Sequence, residues 1–326
     1  MKTRGILLSA AVGALAFKAG AQLPIPGAHY PVGLEGIKGA AMPAPGLNVR
    51  DDNYIYLSTY EAQPSFQLTE YVQAPSLMWT SDWNLFGIHY SCDAMVPIVF
   101  KRINNSALTS YTFPGALFPI VVSQNAHHWG IGDIKIEPVL LSWRWKQLDV
   151  TAGYALWLPT GDYNQTSLDN SGNNTYTHMA SLGFVWYPDH DKTWSFSILN
   201  HYEFNSRQVG YTTSVGITPG GGFPAVFHTY QNLRSSVYSM EWGVSKSLND
   251  VVDLGIIGYY QKQYTAAAPG YLTVMFQDSE VCGIGPEFDL HFTRWNLSTK
   301  FRYAYEFTDY HHPDGSTIDL EISKGF

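Results

Sequence analysis

The feature that most restricts the fold of this chain is a two-residue alternation carried through to its last residue. Between Asn296 and Thr308, Leu297, Thr299, Phe301, Tyr303, Tyr305 and Phe307 fall on one parity. Asn296, Ser298, Lys300, Arg302, Ala304, Glu306 and Thr308 fall on the other. A β-strand sends successive side chains to opposite faces, so the two sets define one greasy and one polar face. The final segment repeats the pattern, with Ile318, Leu320, Ile322 and the terminal Phe326 against Thr317, Asp319, Glu321 and Ser323.

A chain that ends on such a strand, with an aromatic last residue, resembles the C-terminal signature of bacterial outer-membrane β-barrels. The rest of the sequence supports twelve strands, over 47–60, 69–80, 84–102, 131–145, 147–158, 175–187, 193–205, 234–246, 250–264, 280–292, 295–308 and 316–326. The first, second and ninth alternate weakly. The fourth changes parity around Pro138, as a strand does at a bulge. Connections after even-numbered strands are short, such as Lys146-Gln147 and Thr293-Arg294. Several after odd-numbered strands are long and rich in Gly, Asn, Pro and Ser, as from Pro159 to Asn174. Short turns on one side and long loops on the other, with an even strand number, are the pattern of an outer-membrane barrel. A secreted β-sandwich also alternates and is the competing fold.

Composition narrows the choice. Lys2 and Arg4, the apolar run Gly5 to Phe17 and the small residues Ala19-Gly20-Ala21 are expected to form a signal peptide over 1–21. Removing it takes away three bases and no acid, moving the formal charge from −8 to −11. Such a balance is unsuited to nucleic acid, whose phosphates need a basic face. Charged residues make up 14% of the chain, against about 25% in ordinary soluble domains, while aromatics reach 15%. Apolar runs after the leader are too short to span a bilayer as helices, so a membrane crossing needs a closed sheet. Residues 22–46, rich in Gly, Pro and Ala, read as a periplasmic lead-in or a short plug, with the lead-in slightly favoured; the barrel itself is expected over 47–326. Cys92 and Cys282 fall on the apolar parity of strands on opposite sides of the barrel, which predicts two free, lipid-facing thiols.

Energetics assign the faces. An Arg or Lys facing lipid at the midplane costs about 2–4 kcal/mol, so Lys300 and Arg302 must face the lumen together with Glu306. The same argument sends Asp133, Lys135, Glu137, His201, Glu203, Glu241, Glu287, Asp289, His291, Asp319 and Glu321 inward. A wet, net acidic lumen of paired charges follows, serving to stiffen the barrel or to select what passes. The pairs His127-His128 and His311-His312 are expected in loops and make poor chelates, because neighbours on an extended chain point apart. The Leu168–Asn174 stretch is rich in oxygen ligands but lacks EF-hand spacing, leaving only a weak case for calcium. No nucleophile elbow is present, and neither a catalytic set, a metal nor a cofactor is expected.

Several stretches together resemble the outer-membrane family named for the meta-cleavage pathway of phenol degradation. They run from His29 to Gly46, Gly132 to Trp143, Leu158 to Asn164, Thr193 to Asn205, Glu241 to Gly243, Gly258 to Gln263 and Ile284 to Phe288. The resemblance implies a Gram-negative outer-membrane barrel that passes small hydrophobic or aromatic compounds, with membrane lipid and a small solute as its partners. A barrel enzyme acting on lipid or glycan, and a sealed barrel acting as an anchor or adhesin through its loops, are the alternatives.

Overall fold

In a computed structural model, the described residues are 28–60, 65–84, 86–113, 116–164, 169–205, 211–215, 226–230, 235–265, 278–310 and 315–326. The first half of the wall comprises β1 (Gly46–Tyr60), β2 (Ser65–Thr80), β3 (Ile88–Met95), β4 (Ile98–Phe113), β5 (Ala116–Ile131), β6 (Ile134–Arg144), β7 (Leu148–Leu158) and β8 (Thr177–Trp186). The wall continues with β9 (Trp194–Asn205), β12 (Ser235–Ser247), β13 (Val252–Thr265), β14 (Ser279–Phe292), β15 (Leu297–Tyr310) and β16 (Gly315–Gly325), and the short β10 (Tyr211–Val215) and β11 (Val226–Tyr230) form a separate pair between β9 and β12 in the sequence.

Every pairing is antiparallel, and β1 pairs with both β2 and β16, which closes the sheet. β2 pairs with β3 through Ser76–Thr80 and with β4 through Ser65–Gln73, so β3 and β4 are one stave bent at Val96-Pro97. β5 and β6 form a second broken stave, facing β4 and β3. Counting each as one, the wall has twelve staves. Pro97 has no N–H for a ladder, but its carbonyl accepts Gly132 N–H at 2.8 Å, so the two breaks lie side by side. Among the described residues, β10 and β11 pair only with each other.

The exposure of neighbours on one strand decides between barrel and sandwich. Phe301 is 49% exposed and Arg302 is 1% exposed. Leu320 and Ile322 are likewise exposed, while Asp319 and Glu321 are buried. A water-soluble sheet has the opposite arrangement; this one presents hydrocarbon outside and encloses its charges, with backbone polar groups satisfied by closure. Exposed Trp79, Trp83, Trp145, Trp186, Trp194 and Trp295 lie at or near the short-turn end, as an interfacial belt.

Two sequence expectations need correction. The strands expected to stop at residue 102 and resume at 131 are continuous in register from Ile98↔Ile131 to Phe113↔Ala116. A stave that rises past the hydrocarbon needs no greasy parity, although its backbone ladder still holds. His127 and His128 therefore lie in β5, not in a loop, with His127 exposed and His128 half-buried; His311-His312 lie outside the described residues. Weak alternation in β1 and β2 has a local cause. Outward-facing Asp51 and Asn53 accept hydrogen bonds from Gln73 Nε2 at 2.9 Å and Tyr71 Oη at 2.7 Å, which lowers the cost of polar groups on the outer face.

The parity change at Pro138 corresponds to a register shift between Ile136 and Val139. Cys92 and Cys282 are free and half-buried on the outward parity, each at a register shift of its own strand.

Candidate functional site

The residues that stay outside the regular wall define the site. Residues 28–45 run along the inner face of the barrel in a series of turns, against the inward side chains of β1, β9, β12, β14 and β15. The lead-in favoured from composition would lie below the barrel; these contacts are inside it. Val32, Leu34, Ile37 and Ala40 are all buried.

A segment without helix or strand must satisfy its backbone groups elsewhere, and wall carboxylates do this. Glu203 accepts the backbone N–H of His29 at 2.8 Å and of Tyr30 at 3.1 Å. Glu241 accepts Gly33 N–H at 2.6 Å, Glu35 N–H at 3.0 Å and the Tyr30 hydroxyl at 2.7 Å. Glu287 accepts Ile37 N–H at 2.7 Å, and Lys38 Nζ reaches Asp253 at 2.5 Å. Two arginines hold the opposite polarity. Arg50 donates to the Leu34 carbonyl at 3.2 Å, and Arg302 donates to the same oxygen.

The turn chemistry follows from the same crowding. Gly36 has φ +61°, and a Cβ there would collide with the Glu287 carboxylate and the Arg302 guanidinium. Wall glycines leave room in return: a Cβ on Gly255 would meet Ile37 Cγ2 at 2.5 Å, and one on Gly183 would meet Ala40 Cβ at 2.8 Å.

The inward residues expected from parity fall into connected groups. Arg302 is ion-paired with Glu287, Asp319 and Glu321, and Lys300 reaches Glu321 at 3.1 Å. Asp289 is buried opposite Lys300 in the ladder. Glu306 accepts the hydroxyls of Tyr56 at 2.9 Å and Tyr259 at 3.1 Å. Lys135 bridges Asp93 at 3.0 Å and Glu137 at 3.2 Å. His201 bonds Ser181 Oγ through Nδ1 at 2.8 Å, and its ring lies 4.1 Å from that of Tyr30.

Asp133 joins three parts of the chain. It meets His29 Nε2 at 2.8 Å and accepts Gly161 N–H at 2.9 Å and Asn173 N–H at 2.7 Å from the connection after β7. Those bonds, with that between Asn164 N–H and Asn170 Oδ1, show local roles for the loop polar groups considered for calcium. His291 lies 3.2 Å from both Asp253 Oδ2 and Ser298 Oγ. Asp253, Asp289 and His291 offer donor atoms within 4.8 Å of one another, so this trio could hold a metal ion. The Lys38 ammonium supplies the positive charge on Asp253 here.

Sequence reasoning missed Glu35, Arg50 and Asp52. Arg50 bonds Glu35 at 2.8 Å and Asp52 at 2.8 Å, and stands 3.6 Å from Glu321. The signal was available in the even parity of Asn48, Arg50, Asp52, Tyr54, Tyr56 and Ser58, but polar Asp51 and Asn53 on the other face obscured it.

The lumen has a second flank of different character. Tyr30 and Leu34 pack with Tyr54, Ala155 and Met179, and Val72 touches both this cluster and one of Ala74, Met95 and Trp157. Charges cluster along β1 and β12–β16; apolar inward side chains gather along β2, β3, β7 and β8.

With this geometry in view, comparison with known proteins gives the lineage. The family model described as "Putative MetA-pathway of phenol degradation" matches residues 51–322. The chain belongs to this family. Among solved structures, an outer membrane channel from Pseudomonas putida F1 superposes with a TM-score of 0.63 at 14% identity, covering 88% of this chain and 97% of that one. The β-domain of the Bordetella autotransporter BrkA has a TM-score of 0.52 at 10% identity, covering 87% and 100%. The translocator domain of the autotransporter NalP from Neisseria meningitidis gives 0.51 at 12% identity, covering 97% and 98%. At these identities the likeness to the solved structures is one of fold, that of an outer-membrane-type barrel. No curated protein sequence matches the chain.

Proposed function

We propose that the protein is an outer-membrane uptake channel for small hydrophobic or aromatic solutes, exported by way of residues 1–21 and gated by residues 28–45. The observation that carries this reading is the two-sided lumen. On one side the inner segment is held by hydrogen bonds and ion pairs, which water can replace at modest net cost. On the other, Val72, Ala74, Met95, Ala155, Trp157 and Met179 offer an apolar lining to a greasy solute. Release of the charged side would free a path whose selectivity is set by the apolar lining and by Asp133, Lys135, Glu137, His201, Glu203, Glu241, Glu287, Asp289, His291, Lys300, Arg302 and Glu306. The family's association with phenol degradation supports an aromatic cargo, and the Pseudomonas putida outer membrane channel of like fold supports a conduit.

The test compares proteoliposomes holding the full chain with those holding Glu241→Ala, which leaves the Tyr30 hydroxyl and two backbone N–H groups without their acceptor. Entry of a small phenol should be measurable for the parent and should rise severalfold for the variant. Flux no greater than through protein-free vesicles in both cases rejects the reading.

One geometry favours a barrel enzyme. Ser298, His291 and Asp253 lie in sequence at the short-turn rim with contacts of 3.2 Å, as a nucleophile, base and acid would. Asp253 is already engaged by Lys38 at 2.5 Å, so its charge is shared with the inner segment. The channel is the reading retained.

A further inference from the structure

The outer surface carries a second ordered array that transport does not use. β4 and β5 pair so that four outward-facing rungs stack in register: Ile98↔Ile131, Phe100↔Trp129, Arg102↔His127 and Asn104↔Asn125. β2 extends three of these rungs, with Tyr71 beside Phe100, Thr69 beside Arg102 and Gln67 beside Asn104. Read upward from the short-turn end, the surface passes from aliphatic to aromatic to cationic to amide.

The height of the cationic rung is fixed by β2. Thr69 stands ten residues above the interfacial Trp79. At about 3.3 Å per residue and a tilt of about 40°, that is about 25 Å, the height of a barrel's apolar band. Arg102 and His127 thus sit at the outer edge of the hydrocarbon, directly above exposed Phe100 and Trp129, the latter 70% exposed.

Arg102 and His127 are both exposed and have no protein partner among the described residues. The acid nearest in sequence on β2, Glu70, faces the lumen and reaches Lys101 at 3.3 Å. Elsewhere on the wall, bases are engaged: Arg50, Lys135, Lys300 and Arg302 inside, and Lys262 with Glu280 at 2.6 Å. An unpaired guanidinium at the lipid boundary of a net acidic protein calls for an anion from outside.

We infer that the outward face of β2, β4 and β5 binds a phosphorylated glycolipid of the outer leaflet. Its acyl chains would lie along Ile98, Phe100, Trp129 and Ile131, and its phosphate on Arg102 and His127. Its sugar hydroxyls would meet Gln67, Asn104 and Asn125. The inference rests on the outer-membrane reading and is independent of what passes through the lumen.

The test uses the purified full chain in detergent, titrated with diphosphorylated lipid A and, separately, with the same lipid stripped of phosphate, by native mass spectrometry. The parent should prefer the phosphorylated form. Arg102→Gln with His127→Gln should weaken it about fivefold, the scale of one interfacial charge of about 1 kcal/mol. Arg102→Lys should retain most of the binding. Thr69→Glu, which keeps Arg102 and His127 and places a carboxylate beside Arg102, gives an independent loss if the double variant fails to fold by heat-dependent gel mobility. Equal affinity of parent and folded variants, no preference for phosphate, or displacement by millimolar inorganic phosphate alone would overturn the site. Phenol flux through the same preparations should match the parent, so failure of the lipid site and failure of the channel register separately.

Discussion

The two flanks of the lumen are built from the same kind of strand and do opposite things. Along β14–β16 the ladder is nearly regular, and alternate inward positions carry charges that meet one another and the inner segment. Along β2–β6 the staves are broken at Pro97 and shifted near Pro138 and Cys92, and the inward residues include Ala74, Met95 and Leu140. A buried charge needs its partners within hydrogen-bond reach, which a regular ladder supplies by placing Arg302 between Glu287 and Asp319. The irregular flank keeps two small charged sets, Lys135 with Asp93 and Glu137 and Lys101 with Glu70, and apolar side chains, which make no such demand, line the rest of it. The contrast teaches that the large ion-paired network sits on the more regular wall, while the broken wall carries most of the apolar lining.

That comparison can be broken most forcefully at its charged end. Arg302→Met takes their ion-pair partner from Glu287 and Asp319, leaves Glu321 to Lys300 and Arg50, and removes a donor to the Leu34 carbonyl. It should cost about 3–5 kcal/mol, read as a lower midpoint of urea unfolding from lipid vesicles followed by tryptophan fluorescence. An unchanged midpoint would mean that the network is not what holds this flank.

A smaller effect is expected on the other side. Met179→Ser removes an apolar contact to the Tyr30–Leu34 cluster and should cost about 2 kcal/mol or more in the same unfolding assay. It should lower phenol flux while ionic conductance holds. Equal loss of both would remove the distinction between the flanks.

The smallest effect sharpens the functional assignment. Ser298→Ala should leave phenol flux at the parent level, and neither protein should hydrolyse a soluble acyl ester above the rate of empty vesicles. Ester hydrolysis by the parent that disappears in Ser298→Ala would move the protein to the enzyme class.

The sequence by itself determined which face of each strand is wet. In β15 and β16 the cost of a base in hydrocarbon left one orientation for Lys300 and Arg302, and the parity then carried Glu306, Asp319 and Glu321 with them. It also located the bulge at Pro138, since a parity change in an otherwise alternating run has few other causes. Tertiary structure decided what those charges are for. That Glu203, Glu241 and Glu287 receive the backbone N–H groups of residues 29–37 could not be read locally, because the partners lie between 170 and 250 positions apart. Glycine- and proline-rich segments such as this carry no periodicity, and their place is set by whichever closed surface can satisfy their backbone groups. The stacking of Ile131, Trp129 and His127 beside Ile98, Phe100 and Arg102 was also hidden, since register exists only once two strands have met.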